Sequence, residues 1–158
     1  MVKEHKSKFL VCVNEKEHSS TALRFACTKA KWRKNAVDML YVIDPIDYNT
    51  VFSVGDKIKE DRRADAEKLL TKMAGEALEW SDINPTAIIR EGRIAEEIIA
   101  CIEADHDINL LVVGTAADGS SGKGGLLTQL TAEIGDKYHI PLLIVPGNLT
   151  DQQIEELN

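Results

Sequence analysis

The sequence predicts a single α/β domain with a parallel sheet. Two observations predict it: the most apolar stretches are strand-length and near-continuous rather than alternating, and the segments between them repeat apolar residues at helical spacing. Strands of that kind are covered on both faces. Strict alternation of strand and helix then demands right-handed crossovers, a parallel sheet and helices on both sides.

In chain order, the first strand is Phe9 to Val13, and the first helix carries Leu23, Ala26, Cys27 and Ala30 on one stripe, with Ser19 or Ser20 as its cap. The second strand is Val37 to Ile43. A longer connection of mixed polarity, Asp44 to Gly55, leads to a helix marked by Ala66, Leu69, Leu70, Met73, Ala77 and Leu78. The third strand centres on Ala87-Ile88-Ile89, and Ala95, Ile98, Ile99 and Ile102 mark the third helix. Leu110 to Val113 is the fourth strand, and Leu127, Leu130, Ile134 and Tyr138 mark the fourth helix. Pro141 ends that helix before the fifth strand, Leu142 to Val145. The domain spans 1–146, and 147–158 is a polar, acidic tail with few apolar anchors, unstructured or a short helix.

The bulk composition narrows the function classes. At 158 residues, 44% hydrophobic and 28% charged, the chain suits one globular domain, and its apolar runs are far short of a membrane span. The polar N-terminus, Met1 to Lys6, shows no signal-peptide core, so a cytoplasmic address is expected. Cys12, Cys27 and Cys101 lie in apolar surroundings without metal-ligand spacing and read as small buried hydrophobes. A net charge of -7, with no basic stripe interleaved with aromatics, argues against nucleic-acid binding.

In parallel sheets ligands sit beyond the carboxyl ends of the strands, where the winding reverses. That directs attention to Val13-Asn14, Val42 to Asp44, and the glycine-rich run Gly114 to Gly125. Small residues there let backbone N–H groups approach a phosphate, and the helix that follows adds its dipole. The run is not a P-loop: Ala117 stands five residues before Gly122, and Gly124 replaces the hydroxyl that would hold magnesium. Nor does a dinucleotide fingerprint follow the first strand, which continues as Asn14-Glu15-Lys16-Glu17-His18.

The order and spacing of several segments resemble the universal stress protein family. They are Phe9 to Asn14 followed by Ser20 to Ala26, Leu40 to Pro45, Arg90-Glu91-Gly92, Leu111 to Thr115, and Ile140 to Pro146. The resemblance covers Lys8 to Pro146. It implies a Rossmann-like, adenine-nucleotide-hydrolase-like three-layer sandwich, with a five-stranded parallel sheet of order 3-2-1-4-5. It also implies a homodimer joined through the last strands, and a stress-response role without a defined catalytic step. One branch of the family binds ATP through a G-x2-G-x9-G-[ST] loop after the fourth strand and an aspartate at the end of the first. Here Gly114 is followed three positions on by Ala117, and Asn14 occupies the aspartate position, an acceptor without the charge.

An adenine nucleotide, ATP or AMP, would meet Val13, Asn14 and Val42 at its adenosine end, and Gly114, Gly119, Gly122 and Thr128 near its phosphates. Lys123 would supply a phosphate charge or serve as a solvated loop lysine. No catalytic or metal-ligating residue is assigned. His5, His18, His106 and His139 are scattered and read as surface histidines, and Asp118 as a turn former. Trp32 and Trp80, at helix ends, are expected to cover the sheet edge. An acidic pocket of Glu15, Glu17, Asp44 and Asp47 in the manner of a receiver domain fails, because Ile89-Arg90 stands where the phosphorylated aspartate belongs. Three readings remain open: a dimeric, non-enzymatic stress protein with a vestigial or weakly binding crevice, an ATP- or AMP-binding switch with at most slow hydrolysis, and an interaction module without ligand.

Overall fold

A computed structural model of the chain describes residues 7–45, 55–116, 126–137 and 140–158, with backbone alone at 55–59 and 135–137. The elements alternate as expected: β1 (Lys8–Cys12), α1 (Glu17–Arg33), β2 (Ala36–Ile43), α2 (Gly55–Ser81), β3 (Thr86–Glu91), α3 (Ile94–Ala104), β4 (Ile108–Thr115), α4 (Leu126–Lys137), β5 (Leu142–Pro146) and α5 (Asp151–Leu157). The strands form one parallel sheet of order β3-β2-β1-β4-β5. β1 lies at the centre, and the winding reverses on either side of it.

The continuous apolar runs find their reason in the two faces. Phe9 and Val11 of β1 pack with Leu23 and Ala26 of α1, Leu70 and Met73 of α2, and Ile154 of α5. Leu10, between them, packs on the opposite face with Ile98 and Ile102 of α3 and Leu130 of α4. Leu10, Val11, Leu111 and Val112 are fully buried. Each such side chain contributes about 1.5–3 kcal/mol of transfer free energy, so the central strands anchor both layers.

The start of one helix differs from expectation. α1 begins at Glu17, ahead of the expected serine caps, and Lys16 at its N-cap makes no side-chain capping bond. Ser19 lies inside the first turn because its hydroxyl is committed to Asn14. At the other terminus, α5 is closed by a capping box between Thr150 and Gln153 and is anchored by Ile154, 1% exposed. Arg24 of α1 ties this helix down, reaching Asp151 at 3.0 Å while lying 4.9 Å over the Trp80 ring. Trp80 packs against the core, whereas Trp32 is 68% exposed and covers no sheet edge.

At the amino ends of the strands, Lys8 bridges Asp105 at 2.8 Å and the buried Asp38 at 3.8 Å. Burial raises the Asp38 carboxyl above its ordinary range while Lys8 draws it back, and the hydrogen bond from Lys8 lowers Asp105.

Candidate functional site

The carboxyl end of β1 turns sharply into α1, and Asn14 organises the turn. Its Oδ1 accepts from the Lys16 backbone N–H at 2.8 Å and from the Ser19 hydroxyl at 2.9 Å, while Ser19 Oγ accepts from the Asn14 N–H at 2.9 Å. Both acceptor positions of the carboxamide oxygen are therefore occupied, and among the described residues the Nδ2 donors have no partner. A neutral side chain with its oxygen so committed does not fit a magnesium ion.

The first turn of α1 wedges against the ends of β4 and β5. A Cβ on Gly114 would collide with the His18 backbone carbonyl, and one on Gly147 would meet the Thr115 carbonyl at 2.6 Å and the His18 Cβ at 2.7 Å. Glycine at both positions lets the helix approach closely enough to border the crevice. His18 is consequently half-buried at the rim rather than a free surface side chain.

Beside this wedge lies a cleft of about 270 Å³ at the carboxyl ends of β1, β2 and β4. Val13, Leu40, Val42 and Val113 supply its strand side, Ile94 and Ile98 of α3 one wall, and Leu126 and Leu127 of α4 another. Asn14, His18, Ser19 and Thr115 supply the polar edge. Cys12 also lines it, and burial raises its thiol pKa, so the group is neutral and behaves as an apolar surface. An open groove of about 430 Å³ shares Ile94 and Leu126 with the cleft and adds Arg93, 3.9 Å from Glu96. A largely apolar slot with a few polar groups on one edge suits a flat ring system whose hydrogen-bonding edge faces outward. Among the described residues no group of three or more His, Cys, Asp or Glu side chains converges as a metal site.

Of the expected site residues, Val13, Asn14, Val42 and Gly114 come together here. Thr128 does not: it lies on the exposed side of α4, one residue past Leu127 and so about 100° further round the helix, and its carbonyl accepts from the Thr131 hydroxyl at 3.1 Å. Gly119, Gly122 and Lys123, with Ala117, fall outside the described residues. The walls from α3 and α4 were not anticipated. Ile94 and Leu126 open their helices directly after the crevice, and that position is the sequence signal that marks them.

The model of the universal stress protein family matches residues 6–146. The chain belongs to this family. Among curated proteins, none matches the sequence. Several solved universal stress proteins share the fold at low identity. UspA from Lactobacillus plantarum superposes with a TM-score of 0.70 at 18% identity, over 89% of this chain and 97% of that one. A family protein from Burkholderia pseudomallei gives 0.65 at 16%, over 92% and 99%. A universal stress protein in complex with cAMP gives 0.64 at 16%, over 88% and 96%. No helix among the described residues is long and apolar enough to cross a membrane.

Proposed function

We propose that this universal stress protein is a non-enzymatic, homodimeric stress-response protein whose cleft takes the nucleoside part of an adenine nucleotide weakly and without a metal ion. The cleft itself carries the reading: about 270 Å³ of mainly apolar surface at the carboxyl ends of β1, β2 and β4, with the Asn14 Nδ2 donors at one edge. Ligand pockets commonly span roughly 300–1,000 Å³, so this one sits at the small end, nearer a nucleoside than a nucleoside triphosphate. The structural neighbour in complex with cAMP supports an adenine ligand.

Pairing through β5 is supported by that strand's place at the sheet edge and by Ile144, a large apolar side chain 44% exposed on it. Mass spectrometry of the denatured purified protein, followed by calorimetric titration with AMP, cAMP and ATP, tests the ligand reading. AMP or cAMP should bind more weakly than about 10 μM, roughly -7 kcal/mol, with no effect of magnesium. Tight, magnesium-dependent binding of ATP would establish the ATP-switch reading instead, and no binding at millimolar nucleotide would leave the interaction module.

A further inference from the structure

The C-terminal end of α1 carries Lys29-Ala30-Lys31-Trp32-Arg33-Lys34, a run of four cations around one aromatic residue. Trp32 is 68% exposed, the most exposed large apolar side chain among the described residues, and Lys31, Arg33 and Lys34 are exposed beside it. None of the four cations forms a side-chain ion pair among the described residues. Several other surface cations are paired, Arg24 with Asp151, Arg63 with Glu67, Lys72 with Glu76 and Arg90 with Glu97, while Lys16 and Lys68 stand singly; only at this helix end do unpaired cations cluster around an exposed indole among the described residues. The helix dipole accounts for positive charge at this terminus, but it gives no reason to expose an indole.

We infer that this helix end is a docking patch for a short acidic peptide segment of a partner protein, one that pairs carboxylates with Lys31, Arg33 and Lys34 and lays an apolar side chain on Trp32. The chain's overall charge of -7 decides between anionic partners. From Lys29 to Lys34 the helix rises only about 8 Å, and Lys31 and Arg33 flank Trp32 about 100° to either side, so a short peptide laid across the indole meets a cation on each side within about one screening length. An extended polyanion such as a membrane surface or a nucleic acid also meets the acidic remainder of the molecule and is repelled by it. Tryptophan and arginine are the side chains that most often anchor protein interfaces, and here Trp32 and Arg33 are adjacent and exposed.

The test uses the full chain, a 12-residue glutamate peptide with one central leucine, phosphatidylserine vesicles and oligo-dT. Binding is followed by calorimetric titration, and tryptophan fluorescence compared with Trp32→Phe reports whether the Trp32 indole itself is covered. The peptide should bind at low salt and weaken about tenfold or more as salt rises past physiological strength. Lys31→Glu with Arg33→Glu should abolish binding, and Trp32→Ala should weaken it, with melting temperatures near that of the parent. The inference is overturned if the peptide fails to bind, if the double charge reversal leaves its affinity intact, or if vesicles or oligo-dT bind more tightly than the peptide.

Discussion

Two glycine-to-alanine substitutions should act in opposite directions. In Gly114→Ala the added methyl meets the His18 backbone carbonyl, which cannot swing aside as a side-chain end would, with Ala22 Cβ 3.2 Å behind it. The first turn of α1 must lift away from β4, and overpacking of this kind costs about 1–3 kcal/mol. Gly75 stands mid-helix in α2, exposed, with nothing within 4 Å of an added Cβ. There the methyl only restricts the unfolded chain and completes the helix surface, a gain of about 0.5–1 kcal/mol. For a domain of this size each kcal/mol moves the melting temperature by about 2–4 °C, so Gly114→Ala should melt about 2–12 °C lower and Gly75→Ala about 1–4 °C higher. Thermal melts followed by circular dichroism in one buffer give both numbers. A Gly114→Ala protein as stable as the parent, beside a Gly75→Ala protein that behaves as described, would refute the wedge of α1 against β4.

Val42→Trp should fill the cleft and reduce nucleotide affinity at least about tenfold by calorimetry, while the far-UV spectrum stays that of the parent. Asn14→Asp keeps an acceptor for Lys16 N–H and the Ser19 hydroxyl and adds negative charge at the start of α1, so stability should hold while nucleotide titrations become magnesium-dependent. Lys8→Met should cost about 1–3 kcal/mol at pH 7, because Asp38 is left buried without its cation. The sign with pH follows from the shifts. The Asp105 stabilisation exists above the unfolded carboxylate pKa and is lost as pH falls, and Asp38, already raised, protonates more readily without Lys8. The cost should therefore shrink toward about pH 3, as urea unfolding at the two pH values will show. Ile144→Lys should yield a monomeric mass by light scattering at micromolar concentration if the β5 edge pairs two copies.

The layers of the fold were legible because burial on both faces leaves a local mark: a strand such as Phe9 to Cys12 must be apolar at every position when alternate side chains feed two different cores. The start of α1 was not legible, because a serine near a helix start looks the same whether it caps the helix or, like Ser19, bonds back to the preceding turn. In the candidate site, strand ends identified Val13, Asn14, Val42 and Gly114 from topology alone. Ile98 and Leu127 belong to stripes whose period reports only that they face the sheet, and the point at which a stripe overhangs the end of the sheet depends on how each helix crosses it. Trp32 departs from expectation for the converse reason: its hydrophobic character favours cover, but the charges at Lys31 and Arg33 on either side mark a segment turned to water.

The central place of β1 sets an order of events during folding. One edge of this strand is satisfied by β2, whose pairing begins with Lys8 opposite Ala36, but the other waits for β4, where Phe9 meets Leu110 about a hundred residues later. Until that partner arrives, Phe9 to Cys12 present an open, apolar pairing edge. Such a distant closure slows folding, and a chain interrupted before β4 would expose the segment most able to recruit a second molecule. The ion pair of Lys8 with Asp105 ties the two strands together just ahead of β4, at the point where their register shifts between Lys8 and Phe9.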